Sequence, residues 1–312
     1  MSDPAIVLNG LTKVYGERTV VDHVSFAVAA GNIFGYLGPN GSGKTTTIKM
    51  LCGLVRPTAG DAHVAGFDVE RQSNQVRRAI GYMAQGFSLY GDLTVDENLE
   101  FYGRAYGLST REREEHKKRV VQIVGIGEYI HYLASDLSGG WQRRLALACA
   151  LLHDPAVVFL DEPTAGIDPV ARRDLWDLLF VLASAGKTFF VTTHYMDEAE
   201  RCSSLAYIYN GHILAKGSPD EICALPDVTP PGTVRYAIAT DDVMETFRRI
   251  HDVPSVRDAT IFGRDIHVVV DRNMTAPALA QAVGVDPSRV EPIRPSLEDA
   301  FVALTRKTDA AA

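Results

Sequence analysis

Apolar residues along this chain fall into two kinds of pattern. Residues 33–37, 156–160 and 188–193 are short, nearly unbroken apolar runs. Runs of that kind predict strands of a parallel sheet covered on both faces. Val24, Phe26 and Val28 instead alternate with polar neighbours, as in a half-buried strand. Residues 1–31 therefore predict a short antiparallel sheet leading into the first run. Residues 46–51 follow that run as a helix. Residues 60–86 are mixed, with a helix over 72–79 and a strand over 80–83.

Between 87 and 150 the period changes to that of helices. Thr94-Val95-Asp96-Glu97 and Ser109-Thr110-Arg111-Glu112 are capping boxes that start two helices. Ser138 opens a third, carrying Leu145, Leu147 and Leu151. The block predicts a helical subdomain inserted into an α/β core. After the second apolar run, Asp168-Pro169 supplies an N-cap and a first-turn proline for a helix that stops at Gly186. Asn210-Gly211 joins two strands as a hairpin.

Pro226-Asp227-Val228-Thr229-Pro230-Pro231-Gly232 reads as a linker by composition. Residues 1–225 then form the main domain and 233–312 a small α+β appendage. Its predicted order is strand 233–239, helix 241–250, a hairpin around Gly263-Arg264, helix 276–283, strand 289–294 and helix 297–305, a βαββαβ unit.

Composition narrows the functional classes. The 312 residues are 46% apolar, enough to fill a core, and carry a net charge of −8. That balance argues against a protein whose main work is gripping nucleic acid, which needs a basic face. No segment approaches the roughly 18 consecutive apolar residues of a spanning helix. The acidic N-terminus, Met1-Ser2-Asp3-Pro4, lacks a signal-peptide apolar region, and Cys52, Cys149, Cys202 and Cys223 form no CxxC pair. Reduced core thiols in a cytosolic protein are expected, with any membrane function supplied by a partner chain.

Gly38-Pro39-Asn40-Gly41-Ser42-Gly43-Lys44-Thr45 fills every fixed position of the P-loop pattern G-x-x-x-x-G-K-[ST], between a predicted strand and a predicted helix that begins at Thr46. The glycines let backbone N–H groups converge on an anion, and the helix start adds about half a positive charge. Lys44 would reach the terminal phosphates of a nucleotide, and Thr45 would bind Mg²⁺. Ligands bind at the carboxyl ends of strands in such sheets. The second run ends there in Asp161-Glu162 and the third in His194. Asp161 suits Mg²⁺. Glu162, before Pro163 and so expected in extended backbone, can aim at a water beside the γ-phosphate. A general base so placed is worth roughly 10²–10⁴ in rate. Gln85, after the strand 80–83, can touch both Mg²⁺ and that water. Leu137-Ser138-Gly139-Gly140 is a second glycine-rich helix start without a lysine, and a second copy of the chain could bring it to the first copy's nucleotide.

Taken together with Phe159-Leu160-Asp161-Glu162-Pro163, Ala165-Gly166-Ile167-Asp168 and Thr193-His194, these motifs in this order resemble the nucleotide-binding subunit of ABC transporters. The resemblance covers about residues 5–225. It implies a P-loop (RecA-like) ATPase core, with ATP and Mg²⁺ as cofactors and Tyr15 stacked on adenine. It also implies a head-to-tail dimer, each ATP lying between one chain's P-loop and the other's Ser138 loop, with Asp168 coupling the two sites. Thr193-His194-Tyr195-Met196-Asp197-Glu198-Ala199-Glu200 and Pro295-Ser296-Leu297-Glu298-Asp299-Ala300-Phe301 look like the ABC-2 or drug-resistance exporter branch. That branch implies an ABC-2-type permease on a separate chain, a second ATP-binding subunit that is a copy of this one, and a peripheral place on the inner face of the membrane. The chain departs from the pattern at Trp141 and Arg143, where Gln is usual; Trp141 would pack against a partner's nucleotide or fill a groove. An ABC-type ATPase acting on a macromolecular complex is the alternative. Such proteins usually carry two cassettes or a long coiled coil, and neither is present. A small-molecule kinase would need neither the Ser138 loop nor the Glu162–His194 pair, and a GTPase would carry N-K-x-D. A regulatory module that does not turn over would commonly lose Glu162.

Overall fold

The computed structural model describes residues 3–86 and 89–311. Positions 87 and 88, where the helical block is expected to begin, lie outside the described residues, as do Met1, Ser2 and Ala312. The chain divides into two units, 1–218 and 219–312.

The first unit opens with strands β1 (Pro4–Tyr15), β2 (Arg18–Ala29) and β3 (Ile33–Leu37), followed by helix α1 (Lys44–Leu51). Next come β4 (Ala59–Val64), β5 (Phe67–Asp68), α2 (Ser73–Ala79) and β6 (Ile80–Met83). The helical block contains α3 (Val95–Ala105), α4 (Thr110–Val124) and α5 (Gly139–Leu151). The unit closes with β7 (Val157–Asp161), α6 (Pro169–Ser184), β8 (Thr188–Thr193), α7 (Met196–Ala199), β9 (Ser204–Tyr209) and β10 (His212–Gly217).

Two sheets result, in the orders β2-β1-β4-β5, all antiparallel, and β10-β9-β3-β8-β7-β6. The second is parallel except for its β9–β10 hairpin. Asn210 and Gly211 both take positive φ at that turn, 47° and 84°, as a tight hairpin matched to sheet twist requires. The three apolar runs sit side by side as β3, β8 and β7. Their alternate residues feed two cores, which explains the unbroken runs. Phe34, Tyr36, Phe159 and Phe190 join Phe26 and the antiparallel sheet on one face. Ile33, Val158, Leu160, Phe189 and Val191 join the helices on the other. The first core is stitched by aromatic contacts, with ring centroids 5.0 Å apart for Phe26–Phe34 and 5.3 Å for Phe34–Phe190. Both predicted capping boxes form in full, at Thr94/Glu97 and Ser109/Glu112.

The second unit contains α8 (Pro219–Cys223), β11 (Thr233–Ala239), α9 (Val243–His251), β12 (Val256–Phe262), β13 (Asp265–Asp271), α10 (Ala276–Val283), β14 (Val290–Pro292) and α11 (Leu297–Ala311). Its antiparallel sheet has the order β12-β13-β11-β14, the ferredoxin-like arrangement of a βαββαβ unit. The division falls before α8, not at 226–232. The Pro-rich stretch is not free: Val228 is buried and its carbonyl accepts from Arg235 Nη2 at 2.8 Å. Arg235 also pairs with Asp299 at 2.7 Å, and Asp299 Oδ2 accepts from the Ser296 N–H and hydroxyl, 2.9 Å each. The late Pro-Ser-Leu-Glu-Asp motif thus caps α11 and anchors it.

Candidate functional site

The carboxyl ends of β3, β7 and β8 converge on the loop that precedes α1. Gly38 is there because a Cβ would stand 2.3 Å from the Ile208 carbonyl oxygen and 2.7 Å from Ser42 Oγ. Gly43 has φ +109°, and a Cβ on it would meet the Val20 carbonyl oxygen at 2.6 Å. Lys44 Nζ donates to the Gly38 and Pro39 carbonyls at 2.8 and 3.1 Å, and lies 3.4 Å from Glu162 Oε1. A cleft of about 270 Å³ is lined by Val20, Asn40, Gly41, Gly43, Lys44, Thr45, Thr46, Gln85 and Glu162.

Asp161 is buried at the end of β7. Its Oδ1 accepts from Thr192 Oγ1 at 2.6 Å and from Thr45 Oγ1 at 3.3 Å, while Oδ2 has no partner. Burial pushes its carboxyl above the ordinary carboxylate range, and the Thr192 and Thr45 hydroxyls pull it back. A buried, unpaired carboxylate oxygen beside a threonine hydroxyl fits a divalent cation. Among the described residues no group of three or more His, Cys, Asp or Glu could hold a metal. Such a site suits magnesium, which typically takes one or two protein oxygens and completes its shell with phosphate and water.

Glu162 is the hub. Gln85 Nε2 donates to its Oε2 at 2.9 Å, and His194 Nδ1 lies 3.5 Å from the same oxygen, buried and without a hydrogen bond. The extended backbone expected from Pro163 is not found: Glu162 has φ +48°, in the left-handed region. Its N–H donates to Thr192 Oγ1 at 2.9 Å and to the Thr192 carbonyl at 3.2 Å. Those bonds, with the Lys44 and Gln85 contacts, overdetermine the conformation and outweigh the local preference.

Other predicted residues lie outside this cleft lining. Ser138 is the exposed N-cap of α5, and its hydroxyl makes no capping bond. Gly139 and Gly140 begin that helix. Asp168 caps α6, accepting from the Val170 and Ala171 N–H groups at 3.0 Å each, and these bonds lower its carboxyl. Tyr15 is half exposed, with Lys13 Nζ 4.9 Å from its ring centre. Trp141 fills a groove of its own unit, 4.5 Å from the Tyr129 ring and beneath Arg144.

Sequence reading missed three contributors. Thr192, read only as a strand residue, orients both Asp161 and Glu162. Glu198, fully buried, accepts from Thr193 Oγ1 at 2.6 Å and from Thr164 Oγ1, tying the segment after Glu162 to the one before His194. Arg143 donates to the Gln85 carbonyl at 2.9 Å and to the Ala165 carbonyl at 3.1 Å. Only the departure of Arg143 from the usual Gln signalled it in advance.

The family described as ABC transporter matches residues 21–165. The chain is 36% identical over 305 residues to the Nod factor export ATP-binding protein I of Cupriavidus metallidurans, covering 96% of each. This chain belongs to the ATP-binding subunits of ABC transporters. It is also 48% identical over 229 residues to the probable multidrug ABC transporter ATP-binding protein YbhF of Escherichia coli, covering 73% of this chain but only 40% of that relative's length. A solved bacterial ABC transporter cassette, described as dimeric, superposes with a TM-score of 0.63 at 27% identity, over 68% of this chain and 98% of that one. The fold expected of an ABC ATPase, a P-loop core with antiparallel and helical subdomains, is the fold found.

Proposed function

We propose that this chain binds and hydrolyses ATP to drive a separate membrane permease of an exporter, working as a head-to-tail pair of identical subunits. The observation that carries the reading is the Glu162 cluster: one buried carboxylate within reach of the P-loop lysine, Gln85 and His194 at a parallel-sheet edge. The exporter relatives support the direction and the permease, and an ABC-2-type permease fits the motifs around His194 and Asp299. The dimeric cassette supports the pairing. Among the described residues no helix is long and apolar enough to cross a membrane; in this reading a separate permease chain spans it and this chain lies against the permease on the inner face. The exposed Tyr90, Phe101, Tyr132 and Leu133 of the helical block offer apolar surface to such a partner.

Asn40, Gly41, Ser42 and Gly43 present backbone N–H groups to the phosphates, and Lys44 neutralises their terminal charge. Thr45, Asp161 and Gln85 would hold magnesium, which when bound would supply charge neutralisation to the phosphates. Glu162 takes a proton from the attacking water as its oxygen bonds to the γ-phosphorus and the bond to the ADP oxygen breaks. His194 steadies the transferred group. Positioning and electrostatics are nearly all that phosphoryl transfer asks of a protein. Tyr15 stacks on the adenine. The partner's Ser138, Gly139 and Gly140 close over the γ-phosphate, so ATP favours the closed pair more than ADP does, the condition for coupling to motion. Asp168 faces the seam.

The test uses Glu162→Gln in the full chain. ATP should turn it from monomer to dimer by light scattering, with turnover reduced by roughly 10²-fold or more. A monomer at all ATP concentrations, or normal hydrolysis, would overturn the reading.

A further inference from the structure

Arg143 lies five residues along the helix that Ser138 caps. Its Nη1 donates to the carbonyl of Gln85 and its Nη2 to the carbonyl of Ala165, three residues beyond Glu162. Gln85 in turn donates its side-chain amide to Glu162. One planar guanidinium therefore fixes α5 to the two backbone segments that flank the hydrolytic carboxylate. A fork of fixed donors suits this, since two separate carbonyls take one N–H each from the same rigid group. The usual Gln has one amide donor group on a shorter stem and cannot span both with the same geometry.

The two ends of this connection face different nucleotides in the paired arrangement of the Proposed function, on which this inference rests. Ser138 serves the partner's ATP, whereas Gln85 and Glu162 serve the chain's own. We infer that Arg143 is a positioning residue that links the two ATP sites within one chain: seating of the Ser138 loop on the partner's nucleotide sets Gln85 and, through it, Glu162. The residue touches neither nucleotide. It acts by making α5 and the Gln85 and Ala165 backbones move as one body, so that neither site is fully assembled unless the other is engaged.

The experiment measures ATP hydrolysis by the full chain against ATP concentration for wild type, Arg143→Ala and Arg143→Lys. In Arg143→Ala, kcat should fall about tenfold, with KM for ATP within about twofold of wild type. The Hill coefficient should drop from near 2 towards about 1, since coupling between sites is what is lost. Arg143→Lys, which keeps the charge and a donor for at least one carbonyl, should lie between the two. Wild-type kcat and Hill coefficient in Arg143→Ala would overturn the inference. So would a raised KM with unchanged kcat, which would place Arg143 on the nucleotide. Equal losses in both variants with a lowered melting midpoint would reduce it to a fold-stabilising contact. Glu162→Gln run in parallel separates the two claims: if it dimerises with ATP while Arg143→Ala stays cooperative, the pairing stands and only the role of Arg143 fails.

Discussion

Lys44 Nζ and Glu162 Oε1 lie 3.4 Å apart, both side chains buried. Removing one member of a buried pair leaves the other charge uncompensated. Lys44→Ala should therefore lower ATP affinity and also destabilise the first unit, by about 1–3 kcal/mol. Lys44→Ala combined with Glu162→Gln should recover much of the stability and none of the affinity. Calorimetric titration with ATP and denaturant unfolding read the two effects. A single variant as stable as wild type would show that the pair is solvated in solution.

Gly140 stands against α6, where a Cβ would come 2.7 Å from the Ala171 Cβ. Gly140→Ala must push the start of α5 away from α6, displacing Ser138 with it. The expected result is a loss of ATPase activity of about tenfold or more, with nucleotide binding to the P-loop kept. Ala171→Gly in the same chain removes the clash and should restore turnover. Failure of this second change to rescue would mean that Gly140 is required for contact with the partner, not for packing.

His153 stacks on Tyr106 with ring centres 3.6 Å apart, and its Nε2–H donates to the Ile80 carbonyl at 2.9 Å. Burial pushes its imidazole down to about 4 from the ordinary 6.5, against the pull of the Ile80 bond. The neutral ring is the one the fold accepts. Its contribution to stability is present above pH 6.5 and is lost as pH falls through the window from 6.5 to about 4. Unfolding free energies measured across that window should slope less steeply in His153→Gln than in wild type. Identical slopes would show that the ring is not shielded.

Asp299 joins Arg235 and His267 in the second unit, with His267 Nδ1 at 3.1 Å from both carboxylate oxygens. Asp299→Ala strands the buried Arg235 guanidinium and removes the α11 cap. The second unit should lose about 3–5 kcal/mol. Hydrogen exchange resolved by segment should rise over 233–311 and stay unchanged in the P-loop region. Protection unchanged in both would rule out an anchoring role for the motif.

Local chemistry was legible in the sequence wherever one segment decides its own conformation. The P-loop glycines, the Thr94/Glu97 and Ser109/Glu112 boxes and the Asn210-Gly211 turn each depend on neighbours within a few positions. What escaped depends on distant partners. Residues 60–64 read as mixed because β4, which begins at Ala59, is exposed at four of its six positions, and its place is set by pairing with β1. The stretch 226–232 has the composition of a linker, yet Arg235 captures its carbonyl. Arg143 belongs by position to α5, but its work lies at Gln85 and Ala165, 58 and 22 residues away. At Glu162, local preference and tertiary bonds disagree, and the tertiary bonds prevail.

The positive φ of Glu162 has a price for the chain as a whole. Glycine would occupy that backbone most cheaply, and a residue with a Cβ there costs on the order of 1–2 kcal/mol. A long acidic side chain at such a spot means that rigidity and turnover make opposing demands on the same residue. Glycine or asparagine at 162 would relieve that strain but leave the buried Lys44 ammonium without its counter-charge, so heat tolerance finds no simple route through this position.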